Sequence, residues 1–164
     1  MHKITSLLTI LIVASVSVMA QVPKPTLLPN GWSISPAGRS FPLGDLPLNI
    51  AVSRSKKLMA VTNNGQSVQS IQLIDPAKEK VLHTISIPKS WYGLKFSADE
   101  KNLYASGGHD NWILRYAVSQ NKLVLKDSIK LGDKWPKKIG PTGIEIDDAR
   151  MALVSTASKG LVGG

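Results

Sequence analysis

Three short strings set 44 residues apart constrain this chain more than any other feature. They are Ser40-Phe41-Pro42-Leu43, Thr84-Ile85-Ser86-Ile87 and Ser128-Ile129-Lys130-Leu131. A second register agrees, since Ile50-Ala51-Val52-Ser53 returns as Leu94-Lys95-Phe96-Ser97 at the same interval. Short β-type segments repeating every 40–45 residues or so are the mark of stacked four-stranded sheets, none of which can bury both faces alone. The expected fold is therefore all-β, a partial, incomplete β-propeller of about three four-stranded antiparallel blades.

The strands can be placed from turn chemistry. In the first complete repeat, Leu48 to Ser53 forms an inner strand, and Arg54-Ser55-Lys56 turns the chain into a second strand over Lys57 to Thr62. Ser70 to Asp75 and Val81 to Ile87 follow, separated by Asp75-Pro76-Ala77-Lys78, where Pro fixes φ and Asp can accept from the backbone ahead of it. The second repeat reads as strands at Gly93 to Ser97, Asn102 to Ser106, Trp112 to Val118 and Leu123 to Leu131. A third begins at Gly143-Ile144-Glu145-Ile146 and continues through Met151 to Ser155. Inner-strand residues Ile50, Val52, Leu94, Phe96, Ile144 and Ile146 are expected in the core.

The resulting division of the chain is a leader over 1–20, an N-terminal segment with the outer strand of a ring-closing blade over 21–45, blades over 46–90 and 91–140, and the start of a further blade over 141–164. The leader is read from Met1-His2-Lys3, an apolar run from Leu7 to Val18, and the small residue Ala20 at the cleavage point. That run is too short to span a bilayer comfortably. A periplasmic or secreted location follows, and the absence of Cys from the sequence is compatible with it. Removing 20 of the 164 residues leaves 144, fewer than four repeats of 44 need. A closed ring takes at least about four blades, so the reading is of a ring fragment whose missing blades lie elsewhere. The stretch Thr156 to Gly164 breaks the repeat, which points to a truncation or a changed reading frame.

The net charge of +9 invites a nucleic-acid partner. The lysines are dispersed, however, with Lys56-Lys57 and Lys137-Lys138 the tightest groups, so neither nucleic acid nor, after leader cleavage, a membrane is the expected partner.

Four strings, Leu28-Pro29-Asn30-Gly31-Trp32, Leu43-Gly44-Asp45-Leu46-Pro47-Leu48-Asn49, Val61-Thr62-Asn63-Asn64-Gly65 and Tyr104-Ala105-Ser106-Gly107-Gly108, carry a resemblance. Over residues 28–155 the chain resembles the exported YncE-like, YVTN-type β-propeller repeat family. Many members of that family continue into a C-terminal phosphoesterase domain of the alkaline phosphatase superfamily. The resemblance implies a seven-bladed ring in the full protein, with any catalytic metal site beyond Gly164. The turn Ser53-Arg54-Ser55-Lys56 departs from the family's Ser-Pro-Asp-Gly.

Because strands alternate in direction, the loops sort onto two ends of the sheets. One end collects Asn63, Asn64 and Gln66, then Trp91 and Tyr92, then His109, Asp110 and Asn111, and finally Trp135. Aromatic faces supply stacking area and amides supply directed hydrogen bonds, so these residues are the candidate binding set for a small molecule, glycan or protein. The competing structural role has Trp91 and Trp112 packed between blades and the Asn and Gly residues serving turns. His109-Asp110 could be a base with its orienting carboxylate or a pair of metal ligands, although adjacent residues in an extended segment diverge. His83, in an outer strand, is a weaker candidate. Glu145, Asp147 and Asp148 could attract Ca²⁺, or simply cap a turn. The other end gathers charged turns. No phosphate-binding Gly loop, activated Ser nucleophile or zinc-ligand spacing occurs, so no catalytic residue, metal or cofactor is assigned. The expected function is a binding or scaffolding module without its own complete catalytic site; the alternative is the propeller portion of a larger phosphoesterase or lactonase-like hydrolase.

Overall fold

The computed structural model describes residues 25–35, 37–133 and 140–147 and the backbone of Ala152–Ala157. The expected leader and the residue Trp135 lie outside the described residues. Two units divide the chain at Ser40. In the first, β1 (Thr26–Leu27) pairs antiparallel with β2 (Ser33–Ile34). The turn between them is closed by the Gly31 N–H donating to the Leu28 carbonyl at 3.0 Å, and Gly31 sits at φ +82°, a conformation that suits a residue without Cβ.

The second unit is built from antiparallel sheets, and no α-helix occurs among the described residues. β3 (Pro47–Val52), β4 (Met59–Asn63), β5 (Ser70–Asp75) and β6 (Lys80–Ser86) form one four-stranded sheet in chain order. β7 (Leu94–Phe96), β8 (Asn102–Ser106), β9 (Trp112–Ser119) and β10 (Lys122–Lys130) form the next. β11 (Pro141–Asp147) pairs with β12 (Ala152–Ala157) in a two-stranded third sheet. Successive hairpins in chain order are what a repeat of short strands and tight turns dictates. The turns use the chemistry expected of them: the Asp75 carboxylate accepts from the backbone N–H groups of Ala77 and Lys78, both at 3.0 Å.

Register assigns each side chain to a face. Ala51 stands opposite Ala60, and Ala60 opposite Leu73; Leu94 stands opposite Ala105 and Phe96 opposite Leu103. These two sets meet in one core cluster between the first and second sheets, joined by Ile71, Leu114, Tyr116 and Leu123. Small residues on one inner strand pair allow the large residues of the next sheet to approach. At the junction of second and third sheets the same closeness is required of Gly93, where a Cβ would come within 2.7 Å of the Ile144 side chain and 2.9 Å of the Thr142 carbonyl.

Two expectations need correction. Ile50 and Val52 are 52% and 55% exposed, not core, while their strand neighbours Ala51 and Ser53 are buried. Period-two alternation puts Ile50 and Val52 on the sheet face turned away from the second blade. Their repeat equivalents Leu94 and Phe96 are buried because the first blade covers them. Ile144 is buried as expected and Ile146 only partly so. The string Ser40-Phe41-Pro42-Leu43, despite its repeat register, carries no strand. The chain beyond it runs along the end of the first sheet, where the Gly44 N–H donates to Gln72 Oε1 at 2.9 Å and the Asp45 carbonyl accepts from the Gly65 N–H at 3.1 Å.

Candidate functional site

The loop end of the sheets brings part of the nominated set together. Gly107 leads from β8 into a single turn of 3-10 helix, Gly108–Asp110, and Asn111 closes it at φ +57°. Gly108 lies against Lys89 and Trp91, so the loop joining the first and second sheets and the β8–β9 loop are neighbours. The Trp91 and His109 rings stand 6.1 Å apart with an interplanar angle of 37°. Trp91 is 39% exposed and Tyr92 is 55% exposed. His109 is exposed too and Asp110 is half-buried.

Beneath these exposed rings the loops are tied down. The Ser90 N–H donates to Gln69 Oε1 at 2.6 Å, and Asn49 Nδ2 donates to the Tyr92 carbonyl at 2.5 Å. The Ser106 hydroxyl donates to the Pro141 carbonyl and accepts from the Gly108 N–H. Asn111 is fully buried; its Nδ2 donates to the Asp133 carbonyl at 2.6 Å and its Oδ1 accepts from the Gly140 N–H at 3.0 Å. An exposed aromatic pair held on hydrogen-bonded backbone presents stacking area with little ordering entropy left to lose on binding.

The amide residues divide. Asn63 is buried and turned into its own sheet, where Nδ2 donates to Ser70 Oγ at 3.2 Å and Gln72 Oε1 at 3.0 Å, while its Oδ1 has no hydrogen-bond partner among the described residues. Asn64 donates its backbone N–H to the Leu46 carbonyl at 3.0 Å, and Gln66 is exposed. Asn63 and Asn111 thus serve the scaffold, and Trp91, Tyr92, His109, Asp110, Asn64 and Gln66 are left at the surface or near it. Trp112 packs partly buried against the core. His83 Nδ1 accepts from the Leu123 N–H at 3.1 Å, a bond from the outer strand of one sheet to the next.

A second concavity was not nominated from the sequence. A cavity of about 580 Å³ opens where the inner strands β3, β7 and β11 face one another, lined by Ile50, Val52, Arg54, Lys95, Glu145 and Ile146 among others. It lies toward the charged turns, away from the aromatic loops. Lys95 Nζ stands 2.8 Å from Glu145 Oε1, an ion pair linking the second and third sheets across it. That pairing, through hydrogen bonding to Lys95, holds the Glu145 carboxyl below the usual glutamate range. Glu145 is therefore engaged by an ammonium, and among the described residues no group of three or more His, Cys, Asp or Glu is placed to hold a metal ion. Alternation along β7 puts Lys95 on the face opposite Leu94 and Phe96, and its ammonium reaches Glu145 of the third sheet from there. The turn end is clamped as well, since Glu100 accepts from the Ser55 N–H and, at 2.8 Å, from the Ser55 hydroxyl across the boundary between the first and second sheets.

No protein-family model and no curated protein sequence matches the chain. Among solved structures, hydrazine synthase of Kuenenia stuttgartiensis superposes with a TM-score of 0.59 at 16% identity, over 74% of this chain and 32% of that one. The structure of U3-55K superposes with a TM-score of 0.50 at 18% identity, over 69% of this chain and 32% of that one. The chain spans about a third of the length of each. Both are β-propeller proteins, and identity this low speaks to fold alone. Sheet topology, register and these likenesses together make the fold that of β-propeller blades, without a closed ring among the described residues.

Proposed function

We propose that this chain is an exported binding module of the YncE-like, YVTN-type repeat family, engaging its ligand through the loop end that carries Trp91, Tyr92 and His109. The observation that carries the reading is the exposed Trp91–His109 pair on loops fixed by Ser90, Ser106 and Asn111. A tilted aromatic pair suits a glycan or another ligand offering a flat face, with the neighbouring Asp110 and, from the β4–β5 loop, Asn64 and Gln66 as the candidates for polar contacts. Export rests on the leader pattern of residues 1–20.

Trp fluorescence titration against an oligosaccharide panel tests the binding site. Trp91→Ala should weaken any ligand found by roughly 30-fold, the effect of losing an aromatic anchor worth about 2 kcal/mol. Unchanged affinity would refute the site. Mass spectrometry of the secreted chain should find an N-terminus at Gln21, and retention of Met1 would refute export by this leader.

A second reading has one observation in its favour: the matched part of this chain covers only 32% of each fold neighbour, so blades of this kind occur as parts of larger proteins. In that reading the chain is the propeller portion of a phosphoesterase or lactonase-like hydrolase whose catalytic groups lie in other segments. Phosphoester or lactone turnover by the purified chain, abolished by His109→Ala with Asp110→Ala, would displace both readings and make this loop itself a catalytic site.

A further inference from the structure

We propose that the cavity between the inner strands is a binding site for a small organic monocarboxylate, with the carboxylate at Arg54 and the strand edges and the apolar body against the aliphatic wall. β3 stands at the margin of the first sheet and β7 at the margin of the second, so each pairs with a neighbour on one side only. The Ser53 N–H donates to the Leu58 carbonyl at 2.9 Å, which fixes the residues of β3 that face β4; the Ser97 N–H, donating to the Asn102 carbonyl at 2.9 Å, does the same for β7 and β8. In an antiparallel ladder the residues between such bonded pairs turn their N–H and C=O groups the other way. Ile50 and Val52 on β3, with Leu94 and Phe96 on β7, therefore present backbone groups to the open edges. The Ile50 N–H is taken by Asn49 Oδ1 at 2.8 Å. That leaves the N–H groups of Val52, Leu94 and Phe96, three residues that line the cavity. Sheet edges bordering a concavity form a cradle for anions.

Charge identifies the ligand. The ionisable residues of the lining are Arg54, Lys95 and Glu145. Lys95 and Glu145 neutralise each other at 2.8 Å, whereas the Arg54 guanidinium has no ion-pair partner among the described residues. The wall therefore carries one net positive charge, which matches a monoanion. A carboxylate suits it best, because its two oxygens meet the guanidinium fork in two parallel hydrogen bonds. Ile50, Val52 and Ile146 supply aliphatic surface around this charge. At about 580 Å³ the cavity falls within the range of small-molecule sites, about 300–1,000 Å³, and holds a short chain or a ring behind the carboxylate. It lies away from the aromatic loops, and its occupancy is independent of any ligand bound there.

Isothermal titration calorimetry of the purified chain with hexanoate and with benzoate, each compared with its neutral amide, tests the proposal. At least one of the two carboxylates should bind saturably, and its amide at least tenfold more weakly. Arg54→Gln should weaken that carboxylate at least tenfold while leaving the far-ultraviolet spectrum and urea midpoint intact, since Arg54 is exposed. Glu145→Gln should tighten it several-fold, because the wall then carries two net positive charges and the Lys95 ammonium is released to the ligand. Trp91→Ala should leave it unchanged, which separates this site from the one at the aromatic loops. No saturable binding of either carboxylate, an amide as tight as its acid, wild-type affinity in folded Arg54→Gln, weaker binding to Glu145→Gln, or loss of binding in folded Trp91→Ala would each overturn it.

Discussion

Asn111 separates a binding role from a structural one, and its replacement has a calculable cost. Alanine at 111 leaves the backbone bonds from the Asn111 N–H to the Gly108 carbonyl and from the Leu131 N–H to the Asn111 carbonyl in place. It removes the two side-chain bonds, stranding the buried Gly140 N–H and releasing the Asp133 carbonyl. A stranded buried donor costs about 1–3 kcal/mol, and a carbonyl of an exposed residue that can turn to water about 0.5–1. Alanine at φ +57° adds about 1 kcal/mol that asparagine, tolerant of the left-handed region, largely avoids. The expected total is about 3 kcal/mol, most of it from Gly140. Asn111→Gly loses the same bonds without the backbone penalty, so it should cost about 2 kcal/mol. With a urea slope near 1.5–2 kcal/mol/M, the alanine variant should lower the unfolding midpoint by about 1.5–2 M, followed by tryptophan fluorescence. An alanine variant within about 0.5 kcal/mol of wild type, or a glycine variant less stable than alanine, would refute the structural role and return Asn111 to the binding set.

Leu73→Ala, in the core between the first two sheets, should cost about 2–5 kcal/mol, whereas Ile50→Ala on the open face of the same sheet should cost well under 1 in monomeric protein at low concentration; equal costs by urea titration would deny the face assignment. The hydrogen bonds from Ser55 hold the Glu100 carboxyl below its ordinary value of 4.5. Its stabilising effect is thus full above that value and is lost as pH falls through the depressed one; Glu100→Gln should flatten this part of the acid limb, and an unchanged limb would show the clamp to be inert. Burial pushes the Tyr116 phenol up to about 12, so stability should decline between pH 10 and about 12 as the unfolded chain gains an ionisation that the folded one resists; Tyr116→Phe should shallow that decline, and a wild-type slope in the variant would refute it.

The sequence determined the blades. Strand existence and order follow from a local code, in which turns such as Asp75-Pro76-Ala77-Lys78 and the alternation of Leu94-Lys95-Phe96 act over a few residues and recur every 44. The sequence also put the loops of Trp91 and His109 on one end of the sheets, because strand direction alone decides which end a loop emerges from; that the two rings stand 6.1 Å apart was decided by the structure. What it could not decide was which apolar residues are covered. Ile50 and Leu94 occupy the same repeat position with the same chemistry, and one is half exposed and the other buried, since burial depends on whether another sheet lies against that face. Nor could it tell Asn111 from Gln66, both polar loop residues, because the separation depends on partners some 20 to 30 residues away, the Asp133 carbonyl and the Gly140 N–H. The cavity between the inner strands was invisible for the same reason: Ile50, Lys95 and Glu145 are each unremarkable in their own strands, and become neighbours only when three sheets are set side by side.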